Sequence, residues 1–304
     1  MSRRQLLVAR LEAIGRSLEQ SGHACALVGL GSIGVEQDRL DDYSDLDFFV
    51  IADVGFKQPY IENLDWLQSV HPVAYHFRNT PDGHKLLFAD EIFCEFAVFE
   101  SAELGRIPFA PGRVIWKRPG VDEAICLPSH PPAPAPSRAV DWLIGEALTN
   151  LYVGLCRYHR GEKLSAQRLV QQYAVDRLLE LAPHVEKEGP QPRDIFANER
   201  RFEGRFPALA EELPHFIQGY DRTRESARAI LHWLESHFEI NHSMAQAVRQ
   251  LCDSPPSRPT VSHQRDQAEG ERLRVCSALF RPPNRVANRP ETRKTNPIRT
   301  NKAR

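Results

Sequence analysis

Two aspartates one residue apart, Asp45 and Asp47, stand directly before an apolar run that ends at Ile51. Because side chains alternate across a strand, a strand over these residues places both carboxylates on one face. Two adjacent carboxylates repel each other and are costly to desolvate without a cation. Mg²⁺ is a natural partner, since it prefers oxygen ligands and often shares them with substrate phosphates. The pair therefore predicts a metal site, although acidic pairs also occur in solvated turns.

A glycine–serine pair, Gly31 and Ser32, lies between the apolar run Ala24–Leu30 and a candidate helix start. Glycine lets a ligand approach the backbone closely, and the unpaired N–H groups at a helix start attract anions. A phosphate-binding loop beside a metal-binding pair indicates nucleotide chemistry.

This part of the chain resembles the nucleotidyltransferase superfamily with its polymerase-β-like fold. The resemblance lies in the order of features: an apolar strand, Gly-Ser, about a dozen residues, Asp-x-Asp and a second strand. The chain is most similar to the branch that modifies antibiotics, the aminoglycoside and lincosamide nucleotidyltransferases. This resemblance implies two Mg²⁺ ions as cofactors and an NTP, with ATP as the default, as co-substrate. It also implies that Asp45 and Asp47 bind the metal ions and that Gly31, Ser32 and Ser44 bind the nucleotide.

The loop departs from the family pattern in one respect. Many members have a glycine four residues after the serine, but here Gly34 follows Ser32 by two positions and Glu36 stands in the glycine's place. The conformation of the loop and its phosphate contacts are therefore expected to differ from those of the family.

Glu95 is the one charged side chain in the apolar run Ile92–Phe99, which follows a predicted hairpin. On an edge strand it would face water, whereas a buried carboxylate needs a partner. The resemblance implies a third carboxylate on such a strand, which binds the first metal ion or takes the proton from the acceptor hydroxyl. Asp90 and Glu91 are rivals for this role, but they fall in a predicted turn, which is a less rigid position.

The elements that would position these residues form a small mixed sheet with flanking helices. The hydrophobic periodicity changes between 3.6 and 2 along the first 126 residues. It predicts helices over Gln5–Gln20 and Tyr60–Val70, a short helix or turn over Ile33–Asp38, and strands over Ala24–Leu30, Leu46–Ile51, Val73–Phe77, Lys85–Ala89, Ile92–Phe99 and Arg113–Lys117.

A proline-rich stretch, residues 127–137, predicts a linker between two domains. Helical periodicity then returns, which predicts an α-helical bundle over residues 138–252. The fold class is thus α+β: a nucleotidyltransferase domain at residues 1–126, the bundle, and a disordered basic tail at residues 253–304. Within the bundle, helices are predicted over Arg138–His159, from Ser165 to about Pro183, from a cap at Asp221 to Phe238 and over Met244–Leu251, with Arg193–Pro207 as a loop and Ala208–Tyr220 as a helix broken by Pro214.

Four basic side chains, Arg157, His159, Arg160 and Lys163, cluster near the end of one predicted helix. Cations at this position suit the negative end of the helix dipole, which is the favoured interpretation. Alternatively, these four side chains line the cleft that binds the acceptor.

Charge is distributed unevenly along the chain, whose formal net charge is −1. The last 52 residues carry twelve Arg or Lys against five Asp or Glu, a net of +7, so the preceding part has a net charge of −8. The six cysteines form no Cys-x-x-Cys pair, and the N-terminus lacks an apolar signal core. We therefore expect no zinc site, no disulfide framework, no membrane span and a cytoplasmic protein.

Together these features predict Mg²⁺-dependent transfer of a nucleoside monophosphate from an NTP to a hydroxyl of a small molecule. The resemblance implies that an antibiotic-like compound is a possible acceptor. The expected partners are the NTP and this acceptor, and a homodimer is compatible with the resemblance. One alternative keeps the fold without catalysis, as a binding module such as an antitoxin. Another is an enzyme that extends RNA ends, which the acidic character of the first 252 residues disfavours.

Overall fold

A computed structural model describes residues 1–132 and 137–255 of the chain. The middle of the predicted linker and all but the first three residues of the predicted disordered tail lie outside the described residues.

A six-stranded mixed sheet forms the centre of the N-terminal part, in the strand order β3-β4-β5-β2-β1-β6. Only β2 and β5 pair in parallel among the described strands, and the other neighbours are antiparallel. The predicted sheet is confirmed. The strands are β1 Ala24–Gly29, β2 Leu46–Ala52, β3 Val73–Thr80, β4 Gly83–Phe88, β5 Phe93–Glu100 and β6 Arg113–Lys117.

The first helix, α1 (Arg3–Ser21), packs its predicted apolar stripe into the main core, with Leu7 and Ile14 fully buried. A capping box between Ser2 and Gln5 starts the helix, which satisfies N–H groups that have no partner within it. It ends at Gly22, whose left-handed φ of 78° is easily adopted by glycine.

The predicted helix over Tyr60–Val70 is wrong, because two short helices replace it: α2 (Lys57–Glu62) and α3 (Asp65–Gln68). The break lies at Asn63, whose side-chain oxygen accepts a hydrogen bond from the backbone N–H of Asp65 at 2.8 Å. This local bond competes with helix propagation. The short helix or turn predicted for Ile33–Asp38 is a pair of 3₁₀ turns, Gly31–Ile33 and Gln37–Arg39.

The remaining described residues are mostly helical, as predicted, with three local corrections. The charged loop contains a short helix. The segment with Pro214 is one continuous helix that ends two residues after the proline. A 3₁₀ turn, rather than a cap at Asp221, precedes the long helix. The helices are α4 Val140–His159, α5 Lys163–Arg168, α6 Val175–Leu181, α7 Phe202–Arg205, α8 Pro207–Phe216, α9 Thr223–His237 and α10 His242–Asp253, with a π-helical turn at Leu169–Ala174.

The contacts divide the chain into two compact units. The sheet unit comprises Met1–Ala147 and Val175–Pro214, and the helical unit comprises Leu148–Ala174 and the described residues from His215 onward. Residues 175–214 therefore group with the sheet, whereas the predicted boundary at the proline-rich stretch places them in the bundle. None of the helices in the two described ranges is long and apolar enough to cross a membrane.

Candidate active site

Three carboxylates come together where β2 and β5 run side by side. Asp45 immediately precedes β2, Asp47 lies within it, and Glu95 lies within β5. Asp47 and Glu95 are direct partners in the parallel register. All three residues line one cavity of about 760 Å³ in the sheet unit. The structure thus places the predicted third carboxylate beside the predicted pair.

Gly31 and Ser32 line the same cavity, but Ser44 does not. The Ser44 hydroxyl donates a hydrogen bond to Asp41 Oδ1 at 3.0 Å and accepts one from the Asp41 backbone N–H. Its role is therefore to hold the turn before β2 in the described geometry. Asp90, a rival for the third carboxylate, is ion-paired with Arg10 at 2.7 Å.

The loop from Gly31 to Glu36, which we call the glycine loop, is compact. Its backbone folds on itself, since the Gly31 carbonyl accepts hydrogen bonds from the N–H groups of Gly34 and Glu36 at 3.0 and 3.1 Å. Arg113 on β6 donates to the carbonyls of Ile33 and Gly34. Gly31 and Ser32 begin a 3₁₀ turn, whose first N–H groups have no acceptor within the turn. These N–H groups suit an anion.

Replacing Gly34 with alanine should deform this loop. A Cβ atom at position 34 would lie 2.7 Å from the Gly29 carbonyl oxygen and 2.8 Å from Leu30 backbone atoms, which cannot move independently. We expect Gly34→Ala to lower the free energy of unfolding by about 2 kcal/mol. Urea unfolding measures this, with Gly105→Ala as the matched control because a Cβ there meets nothing within 4 Å. An equal effect of both substitutions would contradict the packing described for the loop.

Asp47 is electrostatically unusual. Burial, together with the negative charges of Asp45 and Glu95, raises its pKa to about 7, against the positive charges of Arg200 and Lys85. Neither Asp45 nor Asp47 accepts a hydrogen bond through its carboxylate from a residue within 1–132 or 137–255. This part of the cavity therefore favours a bound cation.

The raised pKa of Asp47 predicts how stability depends on pH without metal ions. The pKa of Asp47 in the folded state lies above its ordinary value. The contribution of Asp47 to the free energy of unfolding is therefore fully present below about pH 4 and is lost as pH rises through 7. Asp47→Asn removes this loss, so the variant should be about 1–2 kcal/mol more stable than wild type at pH 8. The gain should shrink towards pH 4.5. Urea unfolding in EDTA at both pH values, with exposed Asp42→Asn as the control, measures it, and a gain independent of pH would contradict it.

Glu95 already has two partners. Lys85 Nζ, on the neighbouring strand β4, lies 3.2 Å from Glu95 Oε2, and the Asn79 amide nitrogen donates to Oε1 at 2.9 Å. Asn79 Oδ1 is buried and has no partner among the residues described. Sequence reasoning missed Lys85 and Asn79 as site residues, although the hairpin register places Lys85 opposite Glu95.

The residues present fit a divalent cation in part. With the side chains as they stand, no group of three or more His, Cys, Asp and Glu residues in the described ranges is arranged to hold a metal ion. Both oxygens of Glu95 are engaged, one by Lys85 and the other by Asn79. Asp45 and Asp47 remain as oxygen donors of the type that Mg²⁺ prefers. Glu95 would have to exchange these partners to join them.

A segment over residues 193–201, which we call the arginine segment, completes the cavity wall. Arg201, only 13% exposed, binds Asp194 at 3.0 Å and Glu36 of the glycine loop at 3.3 Å. Arg200 lies 3.4 Å from Asp194 and is 64% exposed, and its charge lowers the pKa of Asp47. Glu36, the departure from the family pattern, therefore ties the arginine segment to the glycine loop.

No family model matches the chain, and no curated protein sequence matches it significantly. Among solved structures, the chain is similar to an aminoglycoside 6-adenyltransferase from Bacillus subtilis, with 12% identity and a TM-score of 0.30 over 92% of this chain and 99% of the other. It is also similar to the Thermotoga maritima CCA-adding enzyme complexed with tRNA_CCA, with 12% identity and a TM-score of 0.31 over 83% and 72%.

TM-scores of 0.30 and 0.31 carry no conclusion about fold family, activity or substrate. The described residues themselves form the predicted α+β architecture, a six-stranded mixed sheet with flanking helices and a further set of helices.

Proposed function

We propose that the sheet unit transfers a nucleoside monophosphate, AMP by default, from an NTP to a hydroxyl group of a small molecule. The observation that carries this proposal is that Asp45, Asp47 and Glu95 line one cavity with the glycine loop and the arginine segment. Phosphoryl transfer needs three components that this cavity contains. They are carboxylates that bind a cation, backbone N–H groups that bind phosphates, and guanidinium groups that neutralise negative charge.

The triphosphate would lie along the glycine loop. The N–H groups of Gly31 and Ser32 and the Ser32 hydroxyl would bind the β- and γ-phosphates. Arg200, whose guanidinium is largely exposed in the cavity, would donate charge-assisted hydrogen bonds to phosphate oxygens. The ion pair between Arg201 and Glu36 supports this role, because it fixes the backbone next to Arg200.

Asp45 and Asp47 would hold Mg²⁺, and Glu95 would either join them or act as the base. When bound, Mg²⁺ neutralises charge on the phosphates and helps to orient them for in-line attack. Asp47 must be ionised for this, so metal binding should strengthen as pH rises through about 7.

The reaction conserves atoms and charge in a single displacement. The oxygen of the acceptor hydroxyl forms a bond to the α-phosphorus, and the bond from that phosphorus to the bridging oxygen breaks. Pyrophosphate leaves with the electron pair. The hydroxyl proton passes to a base, for which Glu95 is the candidate, and then to solvent.

The acceptor is best sought among cationic hydroxyl compounds. The first 252 residues carry a net charge of −8, which attracts cations and disfavours polyanions such as RNA. Aminoglycosides combine several amines with hydroxyl groups, so they are the first compounds to test. A cytoplasmic location, where NTPs are available, and a homodimer remain part of this proposal.

The test combines the full chain with Mg²⁺, each of the four NTPs in turn and a panel of aminoglycosides and lincosamides. Mass spectrometry should find an acceptor that has gained one nucleotide, with an equal amount of pyrophosphate released. Product that appears equally in EDTA, or no nucleotide transfer to any acceptor despite Mg²⁺-dependent NTP binding, would contradict the proposed reaction. The second result would favour a binding module that kept the fold.

A further inference from the structure

The helical unit contains its own cavity, of about 600 Å³. Its lining includes three cationic side chains, Arg157, Lys163 and Arg168, and two tyrosines, Tyr173 and Tyr220. We call this site the basic cavity. Its volume lies in the range of small-molecule sites, and none of its lining residues belongs to the cavity of the sheet unit.

The cations of the basic cavity exceed its acidic groups. Arg157 binds Glu162 at 2.8 Å through one guanidinium nitrogen, but its Nε is buried and has no partner among the residues described. Lys163 lies 3.3 Å from the exposed Asp221. Arg168 is exposed and forms no ion pair within the described ranges. The cavity can therefore accept a ligand that carries negative charge.

Aromatic rings lie beside these cations. Tyr173 and Tyr220 are 48% and 49% exposed, so part of each ring is open to a ligand. Lys163 Nζ lies 5.8 Å from the centre of the Tyr220 ring. Open tyrosine faces stack on planar ligands and tolerate different ring systems. A planar ring joined to an anionic group would match both features.

The wall of the basic cavity is held rigidly. Leu169 and Tyr173 belong to the π-helical turn Leu169–Ala174, a conformation that is rare and frequent at functional sites. The buried side chain of Gln171, in the same turn, donates to the Gly219 carbonyl at 2.7 Å and accepts from the Gly219 N–H at 2.8 Å. These two bonds fix the backbone next to Tyr220 against the π-helical turn.

We infer that the basic cavity binds a nucleoside monophosphate, with its phosphate at Arg168 and Arg157 and its base against Tyr220. This is a site for a ligand separate from the NTP of the proposed reaction. It gives Arg157, in the last turn of α4, a role beyond the helix dipole. Arg160, which is 62% exposed and does not line the cavity, lies outside this site.

The experiment uses AMP as the probe and the full chain carrying Asp45→Asn and Asp47→Asn, in EDTA, so that Mg²⁺-dependent binding in the sheet unit is removed. Calorimetric titration should give one saturable site. Arg168→Ala and Tyr220→Leu should each weaken AMP binding by about tenfold, whereas Arg160→Ala, the matched control, should leave it unchanged. Adenosine and ribose 5-phosphate should both bind more weakly than AMP, because each lacks one half of the recognised group.

Three results would overturn the inference. They are the absence of saturable AMP binding at millimolar concentration, an equal loss from Arg160→Ala and Arg168→Ala, and binding of ribose 5-phosphate as tight as that of AMP. Circular dichroism confirms that each variant is folded. Since the probe needs neither Mg²⁺ nor the three carboxylates, failure here leaves the proposed reaction untouched.

Discussion

Asp47→Asn should lower the rate of nucleotide transfer by three or more orders of magnitude, equivalent to about 4 kcal/mol of transition-state stabilisation. The amide is nearly the same size as the carboxylate but carries no charge for a cation. The cavity would then hold Asp45 and a Glu95 that is already engaged by Lys85 and Asn79. Steady-state kinetics with the best NTP and acceptor measure the effect.

The effect of Asp47→Asn on catalysis can be separated from its effect on stability. The same substitution should stabilise the metal-free protein at pH 8, so loss of activity cannot be attributed to unfolding. Asp42→Asn, an exposed change in the loop just before Asp45, is the matched control and should retain full activity. Transfer by Asp47→Asn at a rate within tenfold of wild type would show that the carboxylate pair is not the catalytic centre.

Arg200→Ala should lower kcat/KM for the NTP by about 30- to 100-fold, mostly by raising KM. Arg200 contributes a guanidinium to the cavity near Asp47, and its only ion partner among the described residues is Asp194, which Arg201 also binds. Its removal therefore takes away positive charge that the triphosphate would use. Initial rates over a range of NTP concentrations measure the split between KM and kcat.

Arg106→Ala provides the matched control for this prediction. Arg106 is an exposed arginine of the sheet unit that does not line this cavity, so its loss should change kcat/KM less than threefold. Arg200→Lys should recover part of the lost activity. If Arg106→Ala and Arg200→Ala had equal effects, Arg200 would act only through the general charge of the protein.

The carboxylate pair could be found from sequence because strand geometry makes its spacing meaningful. Asp45 and Asp47 precede an uninterrupted apolar run, and Glu95 is a lone charge within another. Their proximity required one more fact, the parallel pairing of β2 and β5, which no local pattern encodes. The local sequence did not predict the role of Ser44, because its hydroxyl is hydrogen-bonded to Asp41 and does not line the cavity.

The arginine segment could not be predicted, for a physical reason. Arg201 and Glu36 are 165 residues apart, and their ion pair depends on tertiary packing that leaves no periodic trace in the sequence. The segment has the composition of a solvated loop. The grouping of residues 175–214 with the sheet escaped prediction in the same way, since helical periodicity reveals an apolar face without identifying what it packs against.

The most direct test of the central claim is calorimetric titration of Mg²⁺ together with a non-hydrolysable NTP into the wild-type chain and into the Asp45→Asn/Asp47→Asn variant. Wild type should show nucleotide binding that depends on Mg²⁺ and is tighter at pH 8 than at pH 6, and the variant should lose this Mg²⁺-dependent binding. Nucleotide binding to the variant that is as tight as to wild type, in the presence of Mg²⁺, would contradict a metal-dependent nucleotide site at these carboxylates.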